Sequence, residues 1–436
     1  MKKIIGIRRE DKNEWERRVP LIPADVEWLK AQADIDTLVQ PSSIRIFSDA
    51  DYRSAGAAVK EDLDEARVVL AVKEMPASFF RQGRTYIFFS HTIKGQPYNM
   101  AMLKKMMELG CDLIDYERVV DEAGKRLIFF GRYAGIAGMI DSLHALGQKL
   151  KLRGHDTQLT RVRSAYEYAS IEEARREIAA IGDDIKEHGL PDEVTPLVVA
   201  FTGYGNVSRG AQEIFDLLPH KVVSAPILAA NYENFTADPF FFYKVVFKEE
   251  DLVRHRDGDD FDLQEYYDHP ERYESTFEPN LKIVSMLING IYWTEKYPRL
   301  VSKEKLLERG ALERHLNPLV IGDISCDIHG SIEITERSTH PDTPCYTFLP
   351  DENRTVDGID PAGVTVMAVD NLPCEFPREA SGEFSHVLRE YVPQLFNPRF
   401  LDEGDPTVLP HPLQQALILH RGQLTPQYAY MKEFLK

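Results

Sequence analysis

The sequence predicts an α/β protein with two domains, each built around a largely parallel sheet. Short apolar segments alternate with helical segments, which is the pattern of βαβ units. This alternation occurs in two separate stretches, with a helical segment between them. The length of 436 residues fits two or three domains of ordinary size.

The first stretch contains short apolar strands and two helices. Val26, Leu29 and Ala33 lie on one side of a predicted helix that begins at Pro23. A second helix is predicted over Asn99–Glu108. The strand candidates are Ile4–Ile7, Thr37–Val39, Val68–Val72, Tyr86–Phe89 and Leu113–Asp115.

Residues 134–190 are predicted as a helical bridge to a second α/β stretch. Apolar residues recur at helical spacing over Ala134–Leu150, and Ile171–His188 ends at a glycine and a proline. Beyond the bridge, residues 248–280 are acidic and aromatic without clean periodicity, so they are predicted as an insertion. The strand candidates of this stretch are Leu197–Phe201, Ile283–Ile288 and Leu319–Ile324.

Composition narrows the class of protein. The formal net charge of -18 argues against nucleic acid or an anionic membrane as partner. No apolar run approaches the ~20 residues that cross a bilayer, and the first residues do not read as a signal peptide. The four scattered cysteines suit reduced thiols and offer no zinc site. We therefore expect a cytoplasmic protein without a metal.

A glycine turn is the strongest local motif. Gly203 and Gly205 stand between an apolar strand and a helical segment. Gly203 permits a tight turn, and Gly205 lets the backbone approach a pyrophosphate. The free backbone N–H groups at the start of the helix can then bind the negatively charged pyrophosphate. A GxGxxS pattern alone is weak, but its position between strand and helix predicts a dinucleotide site. The predicted cofactor-binding residues are Gly203, Gly205, Asn206, Val207, Ser208 and Arg209.

The surroundings of this turn favour NADP over NAD. The next predicted strand, near Lys221–Ser224, lacks the Asp or Glu that usually binds the ribose of NAD. Arg209 lies in the phosphate loop, where a guanidinium could meet a 2′-phosphate. An ordinary exposed helix charge is the alternative role for Arg209, and NAD is the alternative cofactor.

Charged residues stand at the ends of predicted strands in the first stretch. Lys73, His91 and Glu117 each follow an apolar strand candidate, although any one of them alone would more often be structural. The carboxyl ends of parallel strands converge on the ligand crevice, so the three are predicted to meet in one cleft.

Several segments resemble lysine-ketoglutarate reductase, the N-terminal half of bifunctional aminoadipic semialdehyde synthase. They are Arg8–Asp11, Trp15–Leu21, Val72–Glu74, Phe88–Lys94, Phe130–Ile140, Phe201–Gln212, His269–Tyr273 and Ile288–Trp293. The resemblance runs in order from about Lys3 to beyond residue 390. More distantly, the chain resembles fungal lysine-forming saccharopine dehydrogenase and alanine dehydrogenase.

The resemblance implies two Rossmann-like domains flanking a cleft. Residues 1–140 with 340–436 would form an alanine dehydrogenase-like substrate and catalytic domain. Residues 141–339 would form the NAD(P)-binding domain. Lys73 and His91 match the family's acid–base pair, and Arg18 matches a ligand of a substrate carboxylate. The other implied substrate-binding residues are Glu74, Lys94, Glu117 and Asp323.

The implied reaction is a reversible, NADPH-dependent condensation of L-lysine with 2-oxoglutarate to saccharopine, a step of lysine degradation. The attacking amine must be neutral although free lysine has a pKa near ~10.4, so a base is needed, and an acid must expel hydroxide. A histidine suits both tasks at neutral pH, which favours His91.

Two alternatives to this reaction stay open. One is a related imine-forming amino acid dehydrogenase with a different amine or oxo acid. The other is a catalytically silent protein that senses lysine or a nucleotide. The expected partners are the small-molecule substrates, a separate saccharopine-oxidising enzyme and, as an open option, a second copy of the chain in a homo-oligomer.

Overall fold

The computed structural model describes residues 2–231, 238–310 and 317–435. The chain divides into two compact units, Met1–Phe130 with Pro377–Lys436, and Gly131–Phe376. These divisions differ from the sequence-based domain bounds at 140 and 340. The long helix predicted to bridge the domains lies wholly within the second unit.

Strands and helices alternate over most of the chain. The strands are β1 (Lys3–Ile7), β2 (Ile35–Val39), β3 (Ala58–Val59), β4 (Val68–Leu70), β5 (Thr85–Phe88), β6 (Asp112–Asp115), β7 (Val198–Thr202), β8 (His220–Val222), β9 (Phe242–Phe247), β10 (Val253–His255), β11 (Tyr273–Ser275), β12 (Met286–Asn289), β13 (Val320–Asp323), β14 (Cys345–Leu349), β15 (Arg354–Asp357), β16 (Val364–Met367), β17 (Leu417–His420) and β18 (Gln423–Leu424). The helices are α1 (Pro23–Ala33), α2 (Asp49–Ser54), α3 (Pro97–Glu108), α4 (Gly131–Leu152), α5 (Ile171–His188), α6 (Asn206–Phe215), α7 (Ala225–Asn231), α8 (Glu249–Leu252), α9 (Leu263–Asp268), α10 (Lys303–Gly310), α11 (Pro377–Leu388) and α12 (His411–Ala416).

The sheet of the first unit has the strand order β18-β17-β6-β5-β4-β1-β2-β3. The strands from β3 across to β6 run parallel. They are short, mostly apolar and largely buried, as expected when both faces of a parallel sheet are covered. The chain returns after the second unit and adds β17 antiparallel to β6, with β18 antiparallel to β17. This return makes residues from both ends of the chain part of one core.

The sheet of the second unit has the order β15-β14-β16-β13-β12-β7-β9-β8. The six neighbouring strands β8, β9, β7, β12, β13 and β16 are parallel. Beyond β16, β14 and β15 extend the sheet as antiparallel strands. The predicted insertion forms α8, α9 and the two-stranded antiparallel pair β10–β11. Both sheets therefore have the mixed α/β architecture that the sequence predicted.

Helix α4 packs closely on α6, the helix that follows the glycine turn. Two glycines make this approach possible. A Cβ atom on Gly135 would lie 2.0 Å from the Val207 carbonyl oxygen, and one on Gly210 would lie 2.1 Å from the Arg132 carbonyl oxygen. Gly135 of α4 therefore faces the backbone of α6, and Gly210 of α6 faces the backbone of α4. This close packing holds the start of α6, next to the glycine turn, against α4.

No helix in the described ranges is long and apolar enough to cross a bilayer. All four cysteines are free thiols. Within those ranges, no group of three or more His, Cys, Asp or Glu side chains is arranged to hold a metal ion.

Replacing Gly210 by alanine is expected to lower the free energy of unfolding by about 2 kcal/mol, because overpacking at a close contact costs ~1–3 kcal/mol. Urea unfolding followed by circular dichroism measures the change. Gly382→Ala in α11 is the matched control, since no heavy atom lies within 4 Å of its Cβ position. Alanine favours a helix over glycine by ~1 kcal/mol, so the control should be neutral or more stable. Unchanged stability of Gly210→Ala would contradict the close helix contact.

Candidate active site

The carboxyl edge of the first sheet gathers three of the predicted site residues. Lys73 follows β4, His91 follows β5 and Glu117 follows β6, and these strands are parallel neighbours. The loops that carry the three side chains therefore leave the sheet at the same edge. Lys73 is partly exposed, and its ammonium makes no hydrogen bond or ion pair within the described part of the chain.

His91 is held by a carboxylate. Its Nδ1 lies 2.6 Å from Glu74 Oε1, and Lys12 Nζ lies 3.1 Å from Glu74 Oε2. Burial raises the pKa of Glu74, but the hydrogen bond and charge of His91, helped by Lys12, outweigh it and lower that pKa below its usual range. Glu74 is therefore a carboxylate at neutral pH that orients the imidazole ring.

The backbone of the His91 loop is also fixed. His91 has a φ of 48°, which is uncommon for a residue with a side chain. The Asn99 amide donates to the Ser90 carbonyl at 2.9 Å and to the His91 carbonyl at 3.3 Å. The Tyr430 hydroxyl donates to the Ile93 carbonyl at 2.8 Å. Contacts from α3 and from the chain's return thus stabilise this turn.

Glu10 holds the loop that carries Lys73. Its carboxylate accepts hydrogen bonds from the backbone N–H groups of Val72 at 2.6 Å and Lys73 at 3.0 Å. Burial and the charge of Glu16 raise the pKa of Glu10 to about 7, against the lowering effect of these bonds. No role was predicted for Glu10 from the sequence, although its position close after a buried strand was an available signal.

Arg18 forms a buried ion pair. Its Nε and Nη2 donate to Glu16 at 2.8 Å and 2.6 Å, and its guanidinium lies 4.3 Å from the centre of the Phe130 ring. The side chains of Arg18 and Glu16 are 4% and 2% exposed. The Arg18 guanidinium, which was predicted to bind a substrate carboxylate, is thus paired with the carboxylate of Glu16.

The remaining predicted substrate-binding residues lie in different surroundings. Lys94 is exposed, and Glu117 is partly exposed and paired with Arg126. Asp323, in the second unit, is 1% exposed at the end of β13. Its carboxylate accepts hydrogen bonds from the side-chain amide of Asn289 at 2.8 Å and from the hydroxyl groups of Ser325 at 2.7 Å and Thr335 at 2.5 Å. A direct contact of Asp323 with a substrate would require some of these bonds to break.

The glycine turn has the geometry of a phosphate loop. Gly203 has a φ of 78°, and its N–H donates to the Phe247 carbonyl at 2.9 Å. No heavy atom lies within 4 Å of the Cβ position of Gly205, so a ligand can approach the backbone there. Helix α6 begins at Asn206, and Arg209 Nε donates to the Tyr204 carbonyl at 3.0 Å. These features fit a dinucleotide pyrophosphate at the start of α6.

A cavity of about 390 Å³ adjoins the turn. Its walls come from the turn, from the insertion and from the segment after β12. They are formed by Gly203, Tyr204, Gly205, Glu249, Leu252, Val253, Tyr266, Tyr267, Ser275, Gly290, Ile291, Tyr292, Trp293, Tyr297, Pro298 and Leu300. These aromatic residues were not predicted from the sequence, because their segments lack periodicity and meet only in the folded unit.

The order of the second sheet corrects one step of the cofactor prediction. The strand at His220–Val222, β8, lies at the edge of the sheet, and β9 is the neighbour of β7. The lack of an acid near Lys221–Ser224 therefore says nothing about the ribose site. The prediction assumed that the next strand in sequence is also the next in space, which was wrong here.

Comparisons with known proteins agree with the fold. Residues 6–137 match the family model described as alanine dehydrogenase/PNT, N-terminal domain. A solved L-alanine dehydrogenase has a TM-score of 0.62 at 20% identity, covering 99% of this chain and 100% of that one. A transhydrogenase from Sinorhizobium meliloti has a TM-score of 0.54 at 15% identity, covering 97% and 100%. The family match covers the first part of the chain, and the two solved structures show that the chain shares their fold.

Over its full length, the chain is similar in sequence to alpha-aminoadipic semialdehyde synthases. It is 38% identical to the Arabidopsis thaliana protein, over 99% of this chain and 42% of that one. It is 34% identical to the mitochondrial protein of Rattus norvegicus, over 99% and 48%. The chain thus spans about half the length of these relatives. A Neurospora crassa saccharopine dehydrogenase [NAD(+), L-lysine-forming] is 26% identical over 88% of this chain and 89% of that one.

Arg18→Gln is expected to lower the free energy of unfolding by about 3 kcal/mol, because it leaves the Glu16 carboxylate buried without its guanidinium. Arg17→Gln is the control. Arg17 is exposed, so the same substitution one residue away should change stability by less than ~0.5 kcal/mol. Urea titration of both variants measures the difference. Equal stability of the two would contradict a structural role for the Arg18–Glu16 pair.

Proposed function

We propose that the chain is an oxidoreductase that joins the ε-amine of L-lysine to 2-oxoglutarate and reduces the product to saccharopine with a nicotinamide dinucleotide. Homologues named alpha-aminoadipic semialdehyde synthase and saccharopine dehydrogenase support this substrate class. The observation that carries the proposal is the bond between His91 and Glu74 at the sheet edge where Lys73 also lies. The reaction is reversible and belongs to lysine degradation.

His91 is the proposed acid–base group. Because Nδ1 faces the Glu74 carboxylate, Nδ1 carries a proton and Nε2 is left to exchange one with the substrates. Nε2 accepts a proton as the amine adds to the ketone carbon. It then returns this proton to the former ketone oxygen, which becomes a hydroxyl group. A second proton, taken up from solvent, lets this hydroxyl group leave as water when the C=N bond forms as an iminium. A bound nicotinamide supplies the hydride that reduces this imine.

The exposure of the other predicted site residues distinguishes those that could contact a substrate from those that position other groups. Lys73 is the proposed second acid–base group, held in place through Glu10. Lys94 and Glu117 remain candidates for direct substrate contact because they reach solvent. Arg18 and Asp323 are buried and paired internally, so we propose that they position neighbouring groups.

The cofactor is proposed to bind at residues 203–209. Arg209 is the remaining sequence feature that favours NADP. The lack of an acid near Lys221–Ser224 no longer favours it, because that strand lies at the edge of the sheet. The cytoplasmic location, the separate saccharopine-oxidising enzyme and the homo-oligomer stay predictions. The rat and mouse relatives are named as mitochondrial.

The proposal predicts oxidation of NADPH or NADH that depends on both lysine and 2-oxoglutarate. Absorbance at the nicotinamide band measures it, and mass spectrometry identifies saccharopine as the product. Ornithine and pyruvate, each tested in place of one substrate, are the controls. Faster turnover with a replacement would favour a different imine-forming dehydrogenase, and binding without turnover would favour a sensor.

His91→Ala is expected to lower kcat by about 100-fold or more, which is the usual contribution of general acid–base catalysis. NADH and NADPH binding, measured by calorimetry, should not change. His188→Ala is the control because His188 is exposed at the end of α5, where it contacts Asp184. A parallel loss of turnover and of cofactor binding would assign His91 a structural role instead.

A further inference from the structure

The carboxyl end of β9 lies beside the glycine turn. In the parallel register, Thr202 of β7 faces Phe247 of β9, and the Gly203 N–H donates to the Phe247 carbonyl. The next residues along the chain are Lys248 and Glu249. In dinucleotide-binding sheets, an acidic residue near the end of the strand beside the glycine turn binds the ribose hydroxyls. The strand order puts Glu249 in that place.

Glu249 is oriented from two sides of the cavity beside the turn. The Tyr267 hydroxyl, from the insertion, donates to Glu249 Oε1 at 2.9 Å. Tyr204 stands between the two glycines of the turn, and the charge of Glu249 raises the pKa of its hydroxyl. A carboxylate has about four acceptor positions, so two tyrosine hydroxyls leave room for two further donors. A ribose with free 2′ and 3′ hydroxyls offers two.

The cavity walls suit a flat apolar ring. Tyr266, Tyr292, Trp293 and Tyr297 contribute aromatic surface, and Ile291 contributes an aliphatic side chain. The volume of about 390 Å³ lies within the ~300–1,000 Å³ of small-ligand sites. An adenine base attached to a ribose at Glu249 would meet these walls.

The charge of the cavity selects against a phosphate. Among the described residues that line it, Glu249 is the only one with a formal charge, and it is negative. A 2′-phosphate carries about 1.5–2 negative charges and needs basic partners. Arg209 is the basic residue of the turn, but its Nε donates to the Tyr204 carbonyl, and neither Arg209 nor Lys248 lines the cavity.

We propose that this cavity binds the adenosine half of the dinucleotide, and that Glu249 accepts the ribose hydroxyls and so selects NAD(H) over NADP(H). The proposal rests on the proposed function only in taking a nicotinamide dinucleotide as the cofactor. It reverses the preference that the sequence suggested. It concerns the second unit alone and requires nothing of the lysine chemistry.

Calorimetric titration of the full chain with ADP-ribose and with 2′-phospho-ADP-ribose tests the proposal. Neither ligand carries a nicotinamide, so the readout is independent of turnover. We expect ADP-ribose to bind at least tenfold more tightly. Equal affinity, tighter binding of the phosphorylated ligand, or no binding of either would overturn the proposal. The lysine-dependent assay could still succeed with NADPH in those cases, so the two failures are distinguishable.

Glu249→Gln separates the carboxylate from the general shape of the cavity. The substitution keeps the length of the side chain. The ratio of the affinities for ADP-ribose and 2′-phospho-ADP-ribose should fall at least fivefold, because the 2′-phosphate no longer meets a like charge. Glu250→Gln is the matched control, since it removes the same charge from the adjacent, exposed residue of α8. Thermal unfolding verifies that both variants are folded. An equal effect of the two substitutions would overturn the role of Glu249.

Discussion

The parallel arrangement of strands is the constraint on which both candidate sites depend. Parallel strands deliver their carboxyl ends to one edge of a sheet, so the loops that follow them become neighbours. In the first unit this edge brings the loops of Lys73 and His91 together. In the second unit it brings the glycine turn after β7 beside the loops after β9 and β12. Each site is therefore assembled from segments that are distant in sequence.

Buried and partly buried glutamates organise the basic groups of the first unit. Glu74 bonds the His91 ring, Glu16 bonds the Arg18 guanidinium, and Glu10 bonds the backbone N–H of Lys73. An acidic chain with a formal net charge of -18 thus uses part of its negative charge internally. Buried ion pairs fix geometry more reliably than they add stability, because desolvation offsets their attraction. Orientation of the basic side chains is their main contribution here.

Local sequence patterns predicted local structure well. The helices over Pro23–Ala33 and Ile171–His188 have the predicted bounds, because apolar periodicity and helix-ending residues are properties of adjacent positions. The glycine turn was also found, since its requirements lie within a few residues. The strand order β7-β9-β8 and the buried role of Glu10 were not found. They depend on pairing between distant segments, which no local pattern encodes.

The return of the chain to the first sheet has a consequence for synthesis. The second unit is one continuous stretch, so it can fold on the ribosome while the first unit still lacks β17 and β18. At ~5–20 residues per second, the outer edge of β6 stays open for roughly 15–60 s. An unpaired strand edge exposes backbone N–H and C=O groups that can form hydrogen bonds with a strand of another chain. The nascent chain therefore carries an aggregation-prone edge until β17 and β18 emerge, and slower translation would lengthen that exposure.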